Sequence, residues 1–155
     1  MNKLSILFTC VLLIAIGSST TFGQKRQSLI PQPVERKDLP GTFSVGLKTK
    51  IIIPTENSEV RETAELFAGQ LASLTGNKLL ITSDKAKRSI ELRLNNVANS
   101  RLGKEGYSIR VSTLNVIISA NSPAGLFYGA QTFLQLVPPV KNSSVTIPCT
   151  EITDY

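Results

Sequence analysis

Two pairs of carboxylates have the close spacing that general acid and general base work would need: Glu62 with Glu65, and Glu151 with Asp154, each three residues apart. Glu62 and Glu65 fall among residues flanking the apolar stripe of a helical pattern, with no aromatic pocket nearby in sequence, so they read as a solvated helix face. The chain contains no histidine, which removes Ser-His-Asp and Cys-His catalysis and the commonest metal ligand together. Its two cysteines are Cys10 and Cys149; Cys10 falls in the apolar leader described below, and one remaining cysteine cannot build a thiolate metal site. Gly125-Leu126-Phe127-Tyr128-Gly129 is rich in glycine but lacks the Lys-Ser/Thr ending of a phosphate loop. Lys85, Lys87 and Arg88 form the densest basic group. With no neighbouring aromatic to stack a base, they read as a solvated turn, not a nucleic-acid site. No catalytic, substrate-binding or metal-ligating residue is therefore nominated, and no cofactor is implied.

The elements that would have to position any such group begin after a leader. Lys3 supplies a positive start, Leu4 to Ile16 an apolar stretch, and Thr21-Phe22-Gly23 small residues for cleavage. Residues 1–23 are expected to be a signal peptide cut after Gly23, making the protein secreted or periplasmic. The apolar stretch is interrupted by Thr9 and is shorter than the roughly 18 residues of a membrane span, so no span is expected once the signal is removed. Cys10 lies inside the apolar stretch and not at its end, which argues against a lipid anchor. Cys149 then remains alone, without an internal disulfide partner, and reads as a small buried residue. The formal charge of +6 includes one unit from Lys3; the remainder favours solubility and weak attraction to anionic surfaces.

At 155 residues the chain bounds one fold. Ile30-Pro31-Gln32-Pro33 predicts an extended lead-in within a polar stretch from Gln24 to Asp38, and Gly41 a break before the first strand. Phe43, Val45 and Leu47 alternate as a half-buried strand does. Ile51-Ile52-Ile53 suggests a short strand buried on both faces. Val60, Ala64, Phe67, Leu71 and Leu74 predict a helix over Ser58 to Thr75 closed by Gly76-Asn77, with Glu56, Glu59 and Glu62 near its positive end. Strands are expected at Leu79 to Thr82, Ser89 to Leu94, Tyr107 to Val111 and Val116 to Ala120. The last two form a hairpin whose turn uses Asn115 at positive φ. Val145 to Ile147, closed by Pro148, reads as a final strand or a linker. The expected fold class is α+β, a two-layer sandwich of a mixed or mainly antiparallel sheet with two helices on one face.

The second helix is the most sharply marked element. Ser122 is an N-cap, Pro123 fits the first turn, and Pro138-Pro139 forbids continuation. Leu126, Ala130, Phe133 and Val137 form its apolar stripe. Gly125 and Gly129, one turn apart, suggest close approach of a partner, with Phe127 and Leu134 pushed toward the edge or outward.

Pro-Ala-Gly-Leu-Phe-Tyr-Gly-Ala-Gln-Thr-Phe-Leu-Gln-Leu, from Pro123 to Leu136, resembles the signature helix of the N-terminal, non-catalytic α/β domain of family 20 β-N-acetylhexosaminidases. Ile30-Pro31-Gln32-Pro33, Gly106-Tyr107-Ser108-Ile109-Arg110-Val111 and Ile152-Thr153-Asp154-Tyr155 are similar to further pieces of that domain. The resemblance implies residues 24–150 as the domain and 151–155 as the start of the connection to a catalytic (β/α)8 barrel absent from this chain. Glu151 and Asp154 then read as parts of that connection. It also implies an enzyme that removes terminal N-acetylhexosamine from glycans by substrate assistance, using an Asp-Glu pair on the barrel. This sequence holds no Asp-Glu dipeptide and no Arg-Gly after Asp154-Tyr155, so no functional residue of the family transfers to it. The expected partner is the barrel of the same enzyme, met through helix 123–137, with glycans as partners of the full enzyme only. The competing reading is a stand-alone secreted module binding glycans or peptidoglycan, against which stands the lack of tryptophan.

Overall fold

The computed structural model describes residues 28–54, 56–142 and 144–155. The expected signal peptide, its cleavage site and Cys10 lie outside the described residues, as does the stretch 24–27. Seven strands make one mixed sheet: β1 (Glu35–Gly46), β2 (Lys50–Ile52), β3 (Leu80–Thr82), β4 (Ser89–Leu94), β5 (Tyr107–Val111), β6 (Asn115–Ala120) and β7 (Ser144–Asp154). Their order is β1-β7-β5-β6-β4-β2-β3. The β1/β7, β7/β5 and β5/β6 pairs are antiparallel, whereas β6/β4, β4/β2 and β2/β3 are parallel. Among the described residues, two helices, α1 (Ser58–Thr75) and α2 (Pro123–Gln135), complete the α+β sandwich.

Each helix begins and ends where its residues dictate. Asn57 caps α1, its side chain accepting from Val60 N at 3.0 Å, with Glu59 in the first turn. Gly76 closes it at φ 75°, donating to the Ala72 carbonyl at 2.8 Å. Ser122 caps α2 and Pro123 opens it. Its end tightens as Leu136 and Val137 donate to the carbonyls of Phe133 and Leu134, ahead of Pro138. Leu126, Ala130 and Phe133 are wholly buried and Val137 nearly so. Phe133 meets Phe67 of α1 with the rings tilted at 57° and their centroids 5.9 Å apart. Beneath them lie Ile90, Leu92, Ile109, Val116 and Ile118. Alternation puts Ser108, Arg110, Glu151, Glu91 and Arg93 on the other face. There Ser108 bonds Ser119 (2.9 Å), Arg110 pairs with Glu151 (3.5 Å) and Arg93 with Glu91 (3.6 Å).

Four expectations are corrected here. Glu35–Asp38, expected to lie in the polar stretch before the first strand, is the start of β1, and Gly41 does not precede that strand. Instead Gly41 sits at φ 96° within a shift of register between Asp38 and Thr42. A bulge thus absorbs Pro40 and Gly41, and Pro40 is tolerated because β1 is an edge strand. Leu47 is 74% exposed, because β1 ends at Gly46 and the chain turns back through Thr49. The β5–β6 turn does not use positive φ at Asn115, since no non-glycine residue among those described adopts it. Ser112 makes the turn instead, its hydroxyl oxygen accepting from the N–H groups of Leu114 and Asn115. Finally, Val145–Ile147 belongs to a strand that continues through Pro148 to Asp154 and lies between β1 and β5. Pro148 pairs with Thr42 at the edge of the bulge and falls before the β5 ladder, which begins at Thr150.

Among the described residues, no helix is long and apolar enough to cross a membrane.

Candidate functional site

The polar groups of this domain concentrate at the corner where β7 ends. Asp154, its last residue, accepts from Val34 N at 3.1 Å through Oδ1 and from the Tyr107 hydroxyl at 3.3 Å through Oδ2. The Tyr107 hydroxyl also shares a 2.7 Å hydrogen bond with Thr132 Oγ1 of α2. Burial pushes the Tyr107 phenol above its ordinary value; the bond to Thr132 works the other way, and the Asp154 charge adds to the rise. Gln135 of α2 grips the backbone of Ile30 twice, accepting from its N–H at 2.9 Å and donating to its carbonyl at 3.0 Å. Segments that are distant in sequence are thereby joined at one point.

The loop between β4 and β5 is fixed to this corner by Asn121. Its side-chain oxygen accepts from Asn95 Nδ2 and Asn99 N, both at 2.8 Å, and its amide donates to the carbonyls of Asn99 and Gly103 at 2.8 and 2.9 Å. Ser122 donates to the Lys104 carbonyl while accepting from Gly125 N. The loop presents Arg101, which donates to Glu35 and, at 3.3 Å, to the Tyr155 hydroxyl. Its guanidinium also lies 5.3 Å from the Tyr155 ring centroid. The bonds to Tyr155 and Glu35 hold Arg101 above its already high ordinary value, so it is always charged.

A cleft of about 330 Å³ opens beside these contacts, lined in part by Ile30, Pro31, Tyr128, Gln131, Gln135 and Tyr155. Glu105 and Asp154 also border it. Each oxygen of Asp154 accepts from one of these partners, Val34 or Tyr107, so this carboxylate ties segments together. Along the outer seam of the helices run two further hollows, of about 370 Å³ around Leu66, Ala124 and Phe127 and about 450 Å³ around Leu74 and Leu134. A bond of 2.9 Å between Gln131 and Gln70 spans the helices.

The residues singled out in the sequence are scattered. Glu62 and Glu65 are exposed on α1 and Glu151 pairs with Arg110. Lys85 and Lys87 are exposed in the turn before β4, and Arg88 leans on the Ser44 carbonyl at 3.4 Å. Cys149 is buried, which raises its thiol above the ordinary value. No cluster of three or more His, Cys, Asp or Glu able to hold a metal occurs among the described residues.

Gly125 and Gly129 do not form an open patch. A Cβ on Gly125 would collide with the Gly106 carbonyl and lie 3.1 Å from Ala120 Cβ; one on Gly129 would lie 2.8 Å from Ile118 Cγ2. They let α2 settle on its own sheet. Leu134, expected toward the edge, is 8% exposed and belongs to the core, while Phe127 is half-buried beside the exposed Tyr128. Asn121, Arg101 and Thr132 gave no signal in the sequence beyond Asn121 standing beside a marked helix start.

Such an arrangement is a layered domain in which hydrogen bonds tie Ile30 directly to α2, and Asp154 to it through Tyr107. Residues 26–155 match glycosyl hydrolase family 20, domain 2, and the chain belongs to that family. It is 31% identical over 133 residues to a β-hexosaminidase of Porphyromonas gingivalis, covering 82% of this chain and 17% of that protein. A β-N-acetylhexosaminidase of Cellulomonas fimi is 28% identical over 130 residues, covering 83% of this chain and 26% of that one. The solved β-N-acetylhexosaminidase of Streptomyces coelicolor superposes with a TM-score of 0.72 at 28% identity, over 81% of this chain and 26% of that chain. The chain thus spans about a quarter or less of the length of these relatives. In family 20 enzymes this domain sits with a catalytic barrel. The four pieces that carried the resemblance, 30–33, 106–111, 123–136 and 152–155, each contribute residues to the corner just described.

Proposed function

We propose that this chain is the accessory domain of a secreted β-N-acetylhexosaminidase that removes terminal N-acetylhexosamine from glycans, and that it supports the catalytic barrel without performing chemistry. The observation that carries this reading is the outer surface of α2. None of the thirteen residues from Pro123 to Gln135 is charged, yet Ala124 and Tyr128 are exposed and Phe127, Gln131 and Gln135 partly so. Depletion of charge with aromatic enrichment marks the centre of a protein interface more than a solvated helix. The barrel would cover this surface, and the polar sheet face would stay in water. Export is read from residues 1–23. Sequencing the gene beyond the codon for Tyr155 tests the reading: an in-frame continuation with Arg-Gly and later an Asp-Glu pair is expected, and a stop codon followed by an unrelated gene overturns it.

A further inference from the structure

The Arg101 cluster is more elaborate than the stability it offers. Arg101 and Glu35 have side chains 57% and 50% exposed, and exposed ion pairs contribute little to folding. The loop that carries Arg101 is nevertheless held rigidly, by Asn121 from α2's start and by Asn99 Oδ1, which accepts from Arg101 N at 3.0 Å. What Arg101 gains from this rigidity is a fixed position over the Tyr155 ring, touching both its face and its hydroxyl. Asp154, the preceding residue, is fixed separately by Val34 and Tyr107. Two consecutive residues are therefore oriented by independent contacts. Tyr155 also shares the corner cleft with Tyr128, Gln131 and Gln135, so its direction is set relative to the uncharged surface of α2.

We propose that Arg101 is a positioning residue: it fixes the direction in which the chain leaves β7, and so seats the following domain on α2. This rests on the accessory-domain reading above. The test uses the full-length polypeptide, comparing Arg101→Ala, Arg101→Lys and Tyr155→Phe. Thermolysin cleavage just beyond Tyr155, followed by mass spectrometry, should accelerate about 3- to 10-fold in Arg101→Ala, the loss expected of one exposed ion pair and one cation–π contact. The melting temperature of the catalytic domain should fall with it. Arg101→Lys, which keeps the charge but not the planar fork, should restore only part of the effect. Tyr155→Phe, which keeps the ring, should stay near the parent. In the 155-residue chain alone, Arg101→Ala removes the same exposed contacts and should shift the unfolding equilibrium by no more than about 10-fold, with amide exchange of β4, β5 and β6 unchanged. A larger loss there, or faster exchange in those strands, makes Arg101 merely structural and overturns the proposal. So does parent-like cleavage of full-length Arg101→Ala beside a damaging deletion of residues 28–150. If that deletion leaves activity and melting unaltered, the accessory-domain reading fails, and the role of Arg101 with it.

Discussion

Gly125→Ala separates two explanations of the glycines in α2. If Gly125 kept a surface flat for an external partner, an added methyl would be neutral or would stabilise the helix. The structure predicts loss. The new Cβ would meet the Gly106 carbonyl, the Glu105 carbonyl carbon at 3.1 Å and Ala120 Cβ at 3.1 Å. Two of these three atoms are backbone and cannot swing aside. Overpacking costs typically about 1–3 kcal/mol, toward the upper end where backbone must shift. Against it stands a helix-propensity gain of at most about 1 kcal/mol, less in the first turn. A net loss of about 2 kcal/mol follows. Gly69→Ala supplies the control: it lies mid-helix in α1, nothing stands within 4 Å of its would-be Cβ, and it should gain about 0.5–1 kcal/mol. Urea denaturation of the purified chain measures both. A Gly125→Ala midpoint at or above the parent, with Gly69→Ala behaving as stated, would refute the close-packing argument.

Three other outcomes are expected. Tyr107→Phe removes the hydroxyl shared by Thr132 and Asp154 and should cost about 1 kcal/mol at neutral pH. Because the folded Tyr107 pKa is raised, its contribution is intact below the unfolded value near 10 and declines as pH rises through the folded one. Alkaline urea midpoints should therefore fall less steeply in Tyr107→Phe, and parallel curves would contradict the burial of this phenol. Asn121→Ala should cost about 1–3 kcal/mol, since four bonds are lost, several of them exposed; amide exchange should quicken across residues 95–104, and unchanged exchange there would show that Asn121 does not hold the loop. Cys149, buried with a raised thiol pKa, should react with a thiol reagent only as fast as the chain opens, whereas immediate labelling of the folded protein would place it at the surface.

Both helices were legible because their ends are punctuated locally: Ser122-Pro123 and Pro138 for one, Gly76 for the other. The alternating residues of β4 and β5 were equally plain. The order of strands was not, because the parallel β2, β3, β4 and β6 pair across intervening helices and loops, and no local pattern encodes that choice. Gly41 reads as a break because a bulge and a strand start both use glycine. Gly125 and Gly129 correctly signalled close approach, but the sequence could not say that Gly106 and Ile118 of the same domain were what approached. The corner was hidden most completely. Tyr107, Thr132, Asp154 and Arg101 acquire their meaning only when β5, α2, β7 and a loop meet.

The most direct measurement mixes residues 24–155 of this chain with a separately produced catalytic region and follows turnover of a chromogenic N-acetyl-β-glucosaminide. The chain alone should be inert, and adding it should raise the activity or melting temperature of the catalytic region, an effect weakened by Tyr128→Glu on the exposed face of α2. Turnover by the pure chain that a hexosaminidase inhibitor abolishes, or a catalytic region indifferent to its presence, would contradict the role assigned here.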